Sequence, residues 1–402
     1  MLDIEYVINR IRDVKLKDYM SIFPMSLALL IRPFYRNRYG NTWLICEEPA
    51  EARDNGYHFF KYMCEKQPQQ KCYYAIKKRS VDAKRVEKLG QTIEYGSLRH
   101  WLVYFLCEYN ISSQKGGKPN AAICAFMELN NRFKTRNVFL QHGVTINNVK
   151  WLYADVSKID LFITATSKEN KFIIDNFGYS KDSIKLTGFP RFDALHEFKV
   201  NKNQILVMPT WRYWFNLNSK KSDQINTNIR TSEYVRCWTA FLKSELLKKM
   251  IDKYELKVIF FLHRNMQNYI AEFDECKSRN IVIASWKDYD IQDLLKSSEM
   301  LITDYSSVFF DMVYMKKPVV FYQFDKKDYR KYQYDNGYFD YENNAFGKCT
   351  ENITQLANEI ERIVNNNFSV SYTFIEEHEK IFTYYDSRNN ERVYHTIKGR
   401  NK

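Results

Sequence analysis

Two histidines in this chain follow apolar runs that are typical of buried β-strands. His142 ends the run that begins at Val138, and His263 comes directly after Lys257–Leu262. An imidazole has an unperturbed pKa near neutral pH, so a histidine held at a strand end suits the role of general base. We therefore single out His142 and His263 as candidate reactive residues. The other histidines lie in predicted helices or loops and carry no such prediction: His58, His100, His196, His378 and His395.

A second candidate site is the hydroxyl-rich turn that follows the apolar run Met300–Ile302. The pattern predicts a strand, this turn, a helix and then the strand Val319–Tyr322, which together form a parallel βαβ unit. In open α/β sheets, ligands bind beyond the carboxyl ends of strands, and N–H groups at a helix N-terminus favour an anion such as phosphate. The alternative is that the aspartate and the serines of the turn only cap the helix. The residues predicted to bind the anion are Thr303, Asp304, Ser306 and Ser307.

Strand-like runs alternate with helical stretches almost from end to end, which predicts parallel, doubly wound sheets with helices on both faces. The strands predicted in the first half are Thr42–Cys46, Cys72–Ile76, Gln91–Glu94, Tyr109–Ser113, Val138–Gln141, Leu161–Thr166 and Ile184–Thr187. Those predicted in the second half are Ile205–Met208, Lys257–Leu262, Ile281–Ser285, Met300–Thr303 and Val319–Tyr322. The helices predicted between them include Arg53–Lys66, Leu98–Cys107 and Tyr234–Lys249.

A chain of 402 residues with this alternation predicts two domains. The predicted fold class is α/β with GT-B architecture, in which two Rossmann-like domains with parallel sheets face an interdomain cleft. The predicted divisions are a basic and apolar N-terminal segment (1–40), an N-terminal Rossmann-like domain (41–200) and a C-terminal Rossmann-like domain that ends in helices (201–402).

The chain carries 61 Lys and Arg residues against 48 Asp and Glu residues, a formal net charge of +13. A hydrophobic content of 45% is that of a folded protein and excludes a disordered chain. The basic excess favours an anionic partner. Because the basic residues are scattered and form no recognisable nucleic-acid-binding motif, we predict no nucleic-acid partner.

The eight cysteines show no CxxC spacing, and several lie inside apolar runs. This pattern predicts reduced, mostly buried thiols and argues against both a zinc site and a disulfide framework. The N-terminal sequence carries acids and lacks the apolar core of a cleavable signal peptide. We therefore expect a cytoplasmic protein.

One segment, Tyr19–Phe34, is apolar enough to meet a membrane surface. Its apolar core is interrupted by Pro24 and falls short of the ~20 residues that a spanning helix needs, so we predict no transmembrane helix. Basic residues flank it at Lys17, Arg36 and Arg38, which suits an interfacial segment on anionic headgroups. The alternative is an ordinary buried helix of the first domain.

The stretch from Leu301 to Phe324 resembles the signature of the CDP-glycerol glycerophosphotransferase family, the teichoic-acid primases and polymerases. The residues that match it are Thr303–Ser307, Asp311 and Pro318–Tyr322. Other segments resemble further motifs of the family, in the family's order: Gln141–Gly143, Thr187–Asp193, Met208–Arg212, Tyr338–Tyr341 and Glu391–Val393. The first 140 residues match only in general pattern. The chain also departs from the family at His263-Arg264-Asn265, where many relatives have His-Pro.

The resemblance implies an enzyme that transfers glycerol phosphate from CDP-glycerol to an acceptor hydroxyl and releases CMP, with the first domain binding the acceptor and the second the donor. It implies that His142 is the base and that Gly143 permits close approach of substrate; the alternative is a structural histidine before a turn glycine. Asp311 lies one helical turn beyond Ser307 and is the second catalytic candidate, because its carboxylate can accept hydrogen bonds from glycerol or ribose hydroxyls. The alternative for Asp311 is a position facing solvent.

The donor phosphates would be bound by residues of the second domain. The resemblance makes His263 a phosphate ligand, with Arg264 nearby, and a structural role for His263 is the alternative. Arg212 follows Trp211 at the start of that domain, where a guanidinium suits bidentate phosphate binding. Arg191 is a similar candidate, although an ion pair with Asp193 is equally consistent with the sequence.

We predict no cofactor, since no carboxylate cluster stands at a strand end, although Asp304 and Asp311 leave a Mg²⁺ site open. The expected partners are CDP-glycerol, a lipid-linked or polyanionic glycan acceptor, and the inner face of the cell membrane, where the protein would be peripheral. The expected product is teichoic acid or a similar capsule. The alternatives are a CDP-ribitol transferase, a GT-B sugar-nucleotide glycosyltransferase with Glu342 as its loosely placed ribose ligand, or a catalytically silent scaffold. The sequence predicts no oligomeric state.

Overall fold

The described part of the chain contains two parallel β-sheets. A computed structural model describes residues 16–129, 135–215 and 228–399. The strands of the first sheet are β1 (Trp43–Cys46), β2 (Cys72–Ile76), β3 (Thr92–Glu94), β4 (Tyr109–Ser112), β5 (Arg136–Phe139), β6 (Leu161–Thr164) and β7 (Ile184–Leu186). The strands of the second are β8 (Gln204–Val207), β9 (Lys257–Phe261), β10 (Ile281–Ala284), β11 (Met300–Thr303), β12 (Val319–Tyr322) and β13 (Gly347–Thr350).

Helices connect successive strands, as parallel pairing requires. In chain order they are α1 (Leu16–Met20), α2 (Ile22–Tyr39), α3 (Asn55–Lys66), α4 (Ala83–Glu87), α5 (Leu98–Leu106), α6 (Ala121–Leu129), α7 (Ser167–Asn176), α8 (Glu233–Leu242), α9 (Glu245–Tyr254), α10 (Ile291–Ser297), α11 (Phe309–Tyr314), α12 (Lys326–Tyr332), α13 (Ile353–Asn365), α14 (Tyr372–Ile381) and α15 (Asn389–Gly399).

Each sheet has one point at which the strand order reverses. The first runs β3-β2-β1-β4-β5-β6-β7 and the second runs β10-β9-β8-β11-β12-β13. The reversals therefore lie between β1 and β4 and between β8 and β11. In open parallel sheets the space beyond the carboxyl ends of strands at such a point is where ligands bind. The prediction of two α/β domains with parallel sheets is confirmed.

The chain forms two compact units, each built around one sheet. The first contains the described residues of Met1–His142, Lys150–Ala194 and Asp386–Lys402, and the second contains Gly143–Val149 and Leu195–Tyr385. The last helix, α15, therefore groups with the first unit, whereas the predicted second domain ran from 201 to 402. The cause is local, because Asn389 and Asn390 both donate hydrogen bonds to Asp193.

The strands are buried on both faces, since helices cover both sides of a parallel sheet. In β1, β8 and β11 every residue is buried, and all three are rich in Leu and Ile. The bounds predicted for β2, β11 and β12 agree with the structure residue for residue. The prediction of a single helix over Tyr234–Lys249 is wrong, because α8 ends at Leu242 and Ser244 caps α9 by accepting a hydrogen bond from the N–H of Leu247.

The predicted interfacial segment, Tyr19–Phe34, spans the end of α1 and most of α2, while residues 1–15 of the predicted 1–40 segment fall outside the described residues. One side of α2 packs on the core of the first unit through buried Ala28 and the half-buried Met25 and Leu29. The opposite side exposes Phe23 and Phe34. Across the described residues, no helix combines the length and apolarity that a membrane span requires.

Candidate active site

His142 stands beyond the carboxyl end of β5 on a turn with a left-handed backbone. Gln141 has φ of 61°, a conformation that is uncommon for residues other than glycine. Its side chain compensates by donating hydrogen bonds to the carbonyl of Ile163 (2.7 Å) and to Glu169 (2.9 Å). The turn leaves 63% of the His142 side chain exposed. The turn therefore leaves the imidazole of His142 accessible from solvent.

The partner of His142 is Asp54, which follows β1 and caps helix α3. Nδ1 of His142 and Oδ2 of Asp54 are 2.6 Å apart. Oδ1 of Asp54 accepts a hydrogen bond from the N–H of Asn55. Because an ionised carboxylate only accepts hydrogen bonds, the proton of a neutral imidazole lies on Nδ1 and the lone pair lies on Nε2. The arrangement therefore leaves Nε2 able to accept a proton.

Arg191 supports both members of this pair. Its NH1 group donates to Oδ1 of Asp54 (3.1 Å) and to the carbonyl of His142 (3.0 Å). Its guanidinium lies over the rings of Phe189 and Phe192 at 5.0 and 5.4 Å. The alternative of an Arg191–Asp193 pair is wrong. The charge of Arg191 is instead directed to Asp54, and the residue is 6% exposed, which argues against its predicted contact with phosphate.

The segment that carries Arg191 is fixed by the C-terminal helix of the same unit. Asp193 accepts hydrogen bonds from the side chains of Asn389 (2.7 Å) and Asn390 (2.7 Å). Nε of Arg392 donates to the carbonyl of Thr187 at 2.8 Å. Two segments singled out in the sequence, Thr187–Asp193 and Glu391–Val393, are therefore brought together, with a structural role in holding Arg191.

Sequence reasoning missed Asp54 and the buried Glu47 beneath it. Glu47 accepts hydrogen bonds from the backbone N–H groups of Arg53 (3.0 Å), Asp54 (3.2 Å) and Tyr57 (2.6 Å). Those bonds hold the first turn of α3, and with it the carboxylate that contacts His142. The available signal was an aspartate at a helix start just beyond a buried strand, at the point where the strand order reverses.

Electrostatic effects in this cluster favour a charged His142 and an uncharged Glu47. Desolvation lowers the pKa of His142, but Asp54 raises it by more, so that it lies above the ordinary value of 6.5. Desolvation also raises the pKa of Asp54, but His142 and Arg191 lower it by more, and the net change is downward. Burial, followed by the charge of Asp54, raises the pKa of Glu47 to about 8.

In the second unit, the turn after β11 is tied to the loop after β8 by a buried ion cluster. Thr303 donates its hydroxyl to the carbonyl of Met208 (2.7 Å), and Asp304 accepts from the N–H of Thr210 (2.8 Å). Arg212 donates to Asp304 at 2.8 Å and to Asp325 at 2.7 Å. Thr303, Asp304 and Arg212 are each 0% exposed. Their polar atoms are directed to one another inside the protein, which argues against the predicted substrate contacts of these three residues.

The serines of the same turn are more accessible. Ser306 and Ser307 are half-buried, and Oγ of Ser306 accepts a hydrogen bond from the N–H of Val308 (3.3 Å), the residue that precedes helix α11. Gly143 lies against this turn within the second unit, and a Cβ built on it would lie 2.6 Å from Oγ of Ser307. Asp311 is 1% exposed, so the alternative that it faces solvent is wrong.

His263 and Arg264 follow β9 in the second unit and are half-buried. Nδ1 of His263 accepts a hydrogen bond from the N–H of Asn265 at 3.2 Å, so its other ring nitrogen, Nε2, carries the proton of the neutral ring. Arg264 lies over the ring of Trp286 at 5.0 Å. Among the described residues, no three His, Cys, Asp or Glu side chains are grouped to hold a metal ion.

Comparison with known proteins places the chain in a family. A family model described as CDP-Glycerol:Poly(glycerophosphate) glycerophosphotransferase matches residues 27–399. The minor teichoic acid biosynthesis protein GgaB of Bacillus subtilis (strain 168) is 33% identical over 368 residues, which cover 89% of this chain and 39% of that protein. The teichoic acid glycerol-phosphate transferase of Staphylococcus aureus (strain NCTC 8325 / PS 47) is 26% identical over 63% of this chain and 67% of its own length. The chain thus spans about two-fifths of the length of the first of these relatives.

Solved structures share the fold. The wall teichoic acid polymerase TagF aligns over 97% of this chain and 100% of the solved chain, with a TM-score of 0.65 at 16% identity. A UDP-N-acetylglucosamine 2-epimerase from Listeria monocytogenes, described as putative, aligns over 89% of this chain and 96% of its own, with a TM-score of 0.55 at 12% identity. Since the family model covers most of the sequence, this chain belongs to the CDP-glycerol:poly(glycerophosphate) glycerophosphotransferase family.

Proposed function

We propose that this protein transfers glycerol phosphate from CDP-glycerol to a hydroxyl of a lipid-linked or polymeric glycan acceptor and releases CMP. The product would be teichoic acid or a teichoic-acid-like capsule. Family membership supports the reaction class, and a TagF variant studied with CDPG supports the donor by analogy. The observation that carries the proposal is the 2.6 Å contact between Asp54 and Nδ1 of His142, which leaves Nε2 free to act as a base.

In the first unit, Nε2 of His142 removes the proton of the acceptor hydroxyl. The acceptor oxygen attacks the phosphorus that bears glycerol, a new P–O bond forms, and the bond to the CMP oxygen breaks. The electron pair of that bond leaves with CMP. Asp54 stabilises the imidazolium that His142 becomes, and Arg191 holds the Asp54 carboxylate in place. Since phosphoryl transfer depends mostly on positioning and charge stabilisation, a fixed base is the contribution expected of the protein.

In the second unit, Ser306 and Ser307 donate their hydroxyls to the donor diphosphate, and His263 donates Nε2–H to it. Arg264 supplies a positive charge near His263. Arg212, Thr303 and Asp304 hold the turn that carries the serines, because their polar groups satisfy one another in the interior. Asp311 lies on helix α11 just beyond the serines and is 1% exposed, which argues against a direct contact between its carboxylate and the donor hydroxyls.

We infer a reaction that needs no cofactor, in which basic side chains offset the phosphate charge. A Mg²⁺ requirement is the alternative that a chelator tests. The carboxylate of Asp304 is already bonded to the N–H groups of Thr210 and Tyr305 and to Arg212, which leaves it poorly suited to a metal. Unchanged CMP release after treatment with EDTA is the result expected.

We further propose that α2 places the protein on the cytoplasmic face of an anionic membrane. Phe23, Leu30 and Phe34 expose 77%, 73% and 86% of their surface, and their spacing along the helix puts them on one side. Arg36 and Arg38 stand in the last turn of the same helix. Binding to anionic vesicles that is lost in a Phe23→Ser, Phe34→Ser double variant would support this location, whereas equal binding of both proteins would contradict it.

The test of the reaction is CMP release from purified protein with a lipid-linked acceptor analogue. CDP-glycerol, CDP-ribitol and a sugar nucleotide are offered separately. We expect acceptor-dependent release from CDP-glycerol, loss of that release in His142→Asn, and retention in His395→Asn, which alters an exposed histidine on α15 of the same unit. Release from CDP-ribitol alone would show that the donor is CDP-ribitol and not CDP-glycerol. Release from neither CDP-linked donor would contradict the proposal and favour the sugar-nucleotide alternative.

A further inference from the structure

The first unit contains a cavity of about 220 Å³ that the reaction described above does not use. Its walls come from helix α6, from strands β4 and β5, and from the loops that follow β4 and precede β6. Ala121, Ala125 and Glu128 line it from one face of α6, and Phe139 and Leu152 are among its apolar residues. A cavity of about 150 Å³ is large enough for benzene, so this one has room for a single six-membered ring with its substituents.

Part of the cavity wall is a network of hydrogen-bonded polar side chains. Nδ2 of Asn137 donates to Oε1 of Glu128 (3.0 Å) and to the carbonyl of Lys158 (3.2 Å). Glu128 also pairs with the ammonium group of Lys118. Nδ2 of Asn110 donates to Oδ1 of Asn137 at 3.3 Å. The two asparagines, Glu128 and Lys118 are all buried, and all four line the cavity.

One atom of this network, Oδ1 of Asn110, has no hydrogen-bond partner among the described residues. The orientation of its amide follows from Asn137. Because Asn137 gives its N–H groups to two acceptors, its oxygen faces Asn110, which must donate its own NH₂ group there. A buried acceptor without a donor destabilises the fold. Since Asn110 lines the cavity, a bound molecule with a hydroxyl group can supply the missing donor.

An exposed indole stands beside the cavity. Trp151 precedes the lining residue Leu152 and exposes 41% of its surface. Lys115, which also lines the cavity, lies over the ring of Trp151 at 5.5 Å and donates to its carbonyl at 2.8 Å. The hydroxyl of Ser157 donates to the same carbonyl at 2.6 Å. The indole is therefore held in place, and its flat apolar face suits the C–H face of a sugar ring.

We propose that the cavity is a saccharide-binding site that takes one pyranose ring. The ring hydroxyls donate to Oδ1 of Asn110 and accept from the ammonium group of Lys118, while the C–H groups pack on the apolar walls. Ligand sites of this kind combine mostly apolar walls with a few convergent polar groups. The inference goes beyond the proposed function, because the binding of a free sugar needs neither His142 nor a CDP-linked donor.

Two other ligand classes fit the cavity less well. A purely apolar chain would leave Oδ1 of Asn110 without a donor. A phosphate group would meet the oxygens of Asn110 and Glu128, which only accept hydrogen bonds when the carboxylate is ionised. A sugar ring satisfies both requirements, since each of its hydroxyls can donate as well as accept.

The test is a titration of the full-length protein with free glucose, galactose and N-acetylglucosamine, each followed by saturation-transfer NMR. We expect at least one of the three sugars to bind with a Kd of roughly 1 mM. Asn110→Leu removes the acceptor and Ala125→Leu fills the cavity, so each should raise that Kd roughly tenfold or more. The matched control is Ala122→Leu, which adds the same volume to α6 at a position outside the cavity lining and should bind as the wild-type protein does. Thermal unfolding shows that each variant is folded.

Several outcomes would overturn the proposal. If none of the three sugars bound, or if the wild-type protein and both cavity variants bound them equally, the cavity would not be a saccharide site. Binding of n-octanol or of glycerol 3-phosphate without any sugar would assign the cavity to an apolar chain or to an anion. If Asn110→Leu did not fold, Ala125→Leu would decide, because it leaves the polar network intact. CMP release has no part in these measurements, so failure of the proposed function would not affect their outcome.

Discussion

Oδ2 of Asp54 lies 2.6 Å from Nδ1 of His142, although the two residues are 88 positions apart in the chain. A carboxylate in this position fixes both the ring orientation and the tautomer of the imidazole. It also favours the protonated ring, which is the form that a general base adopts during the reaction. The contact therefore links the structure to a set of measurable consequences.

The first prediction concerns removal of the Asp54 charge. In Asp54→Asn, we expect kcat/KM to fall by about 10²- to 10⁴-fold, because the amide no longer stabilises the imidazolium. The base must be neutral to act, so kcat/KM of the wild-type protein falls as the pH drops through the pKa of His142. Since Asp54 raises that pKa, this limb of the pH profile should move to lower pH in the variant.

Asp155→Asn is the matched control, since Asp155 is an exposed aspartate of the same unit. It should leave both the rate and the pH profile unchanged. An acidic limb at the same pH in Asp54→Asn and in the wild-type protein would contradict the proposed coupling. Thermal unfolding of each variant separates a catalytic loss from a loss of fold.

The second prediction concerns the pH dependence of stability. The pKa of Glu47 is about 8 in the folded chain, against an ordinary value of 4.5. Between these pH values the folded state holds a proton that the unfolded state has released, so the contribution of Glu47 makes the free energy of unfolding decrease as pH rises. The slope from this one group is at most about 1.4 kcal/mol per pH unit.

Urea unfolding at pH 5, 6.5 and 8 measures this slope. We expect Glu47→Gln to have a flatter dependence than the wild-type protein over this range. The variant should also be less stable at pH 5, because its amide N–H₂ group cannot accept the backbone hydrogen bonds that a carboxyl oxygen accepts. Glu87→Gln, at an exposed glutamate of α4, should keep the wild-type slope. Parallel curves for Glu47→Gln and the wild-type protein would show that Glu47 is already ionised at pH 5.

The third prediction tests the serine hydroxyl beside Gly143. In Gly143→Ala the new Cβ would lie 2.6 Å from Oγ of Ser307, so the hydroxyl must rotate away. If Ser307 bonds the donor diphosphate, KM for CDP-glycerol should rise roughly two- to tenfold, which corresponds to the loss of one hydrogen bond. Stability should change little, because the Ser307 hydroxyl can adopt another rotamer.

Gly399→Ala provides the control, since a Cβ at Gly399 has no atom within 4 Å among the described residues. Its KM should equal that of the wild-type protein. Ser307→Ala should reproduce the rise in KM, and combining it with Gly143→Ala should add nothing further. Additive effects of the two substitutions would show that Gly143 acts through something other than the Ser307 hydroxyl.

The sequence predicted the elements whose signals are local. Strand β11 is a short apolar run that ends before the polar turn at Asp304, and strand β12 is one that begins after Lys316, Lys317 and Pro318, so these boundaries were unambiguous. Strand β13 was missed because Gly347–Thr350 has little strand propensity of its own and becomes a strand by pairing with β12. Helix α6 was missed because its mostly apolar sequence, Ala121–Leu129, shows no polar face.

For the candidate site too, the sequence predicted the residues whose signal is local and missed those whose position depends on contacts distant in the chain. His142 was found because it ends an apolar run, which is visible in the sequence. Asp54 and Glu47 were not found, because their relation to His142 depends on the order β1-β4-β5, and that order is set by the packing of the whole sheet. The buried partners of Arg212 were not found for a similar reason, since Asp325 is 113 residues away.

The fourth prediction separates a buried structural charge from a substrate ligand. Arg212 pairs with Asp304 and Asp325, and all three side chains lie in the interior. In Arg212→Met, both carboxylates lose their counter-charge while they remain buried, and breaking such a cluster costs about 3–5 kcal/mol. We therefore expect a large loss of stability in urea unfolding, with the activity loss a consequence of it.

The matched control is Arg236→Met, which removes an arginine with 74% of its side chain exposed and a 3.4 Å contact to Glu233. An exposed pair of this kind contributes little, so its free energy of unfolding should lie within about 1 kcal/mol of the wild-type value. A phosphate ligand would give the opposite pattern at Arg212, with wild-type stability and a raised KM for CDP-glycerol. That result would show that Arg212 leaves its buried partners when the donor binds, because its guanidinium cannot satisfy two carboxylates and a diphosphate in one position.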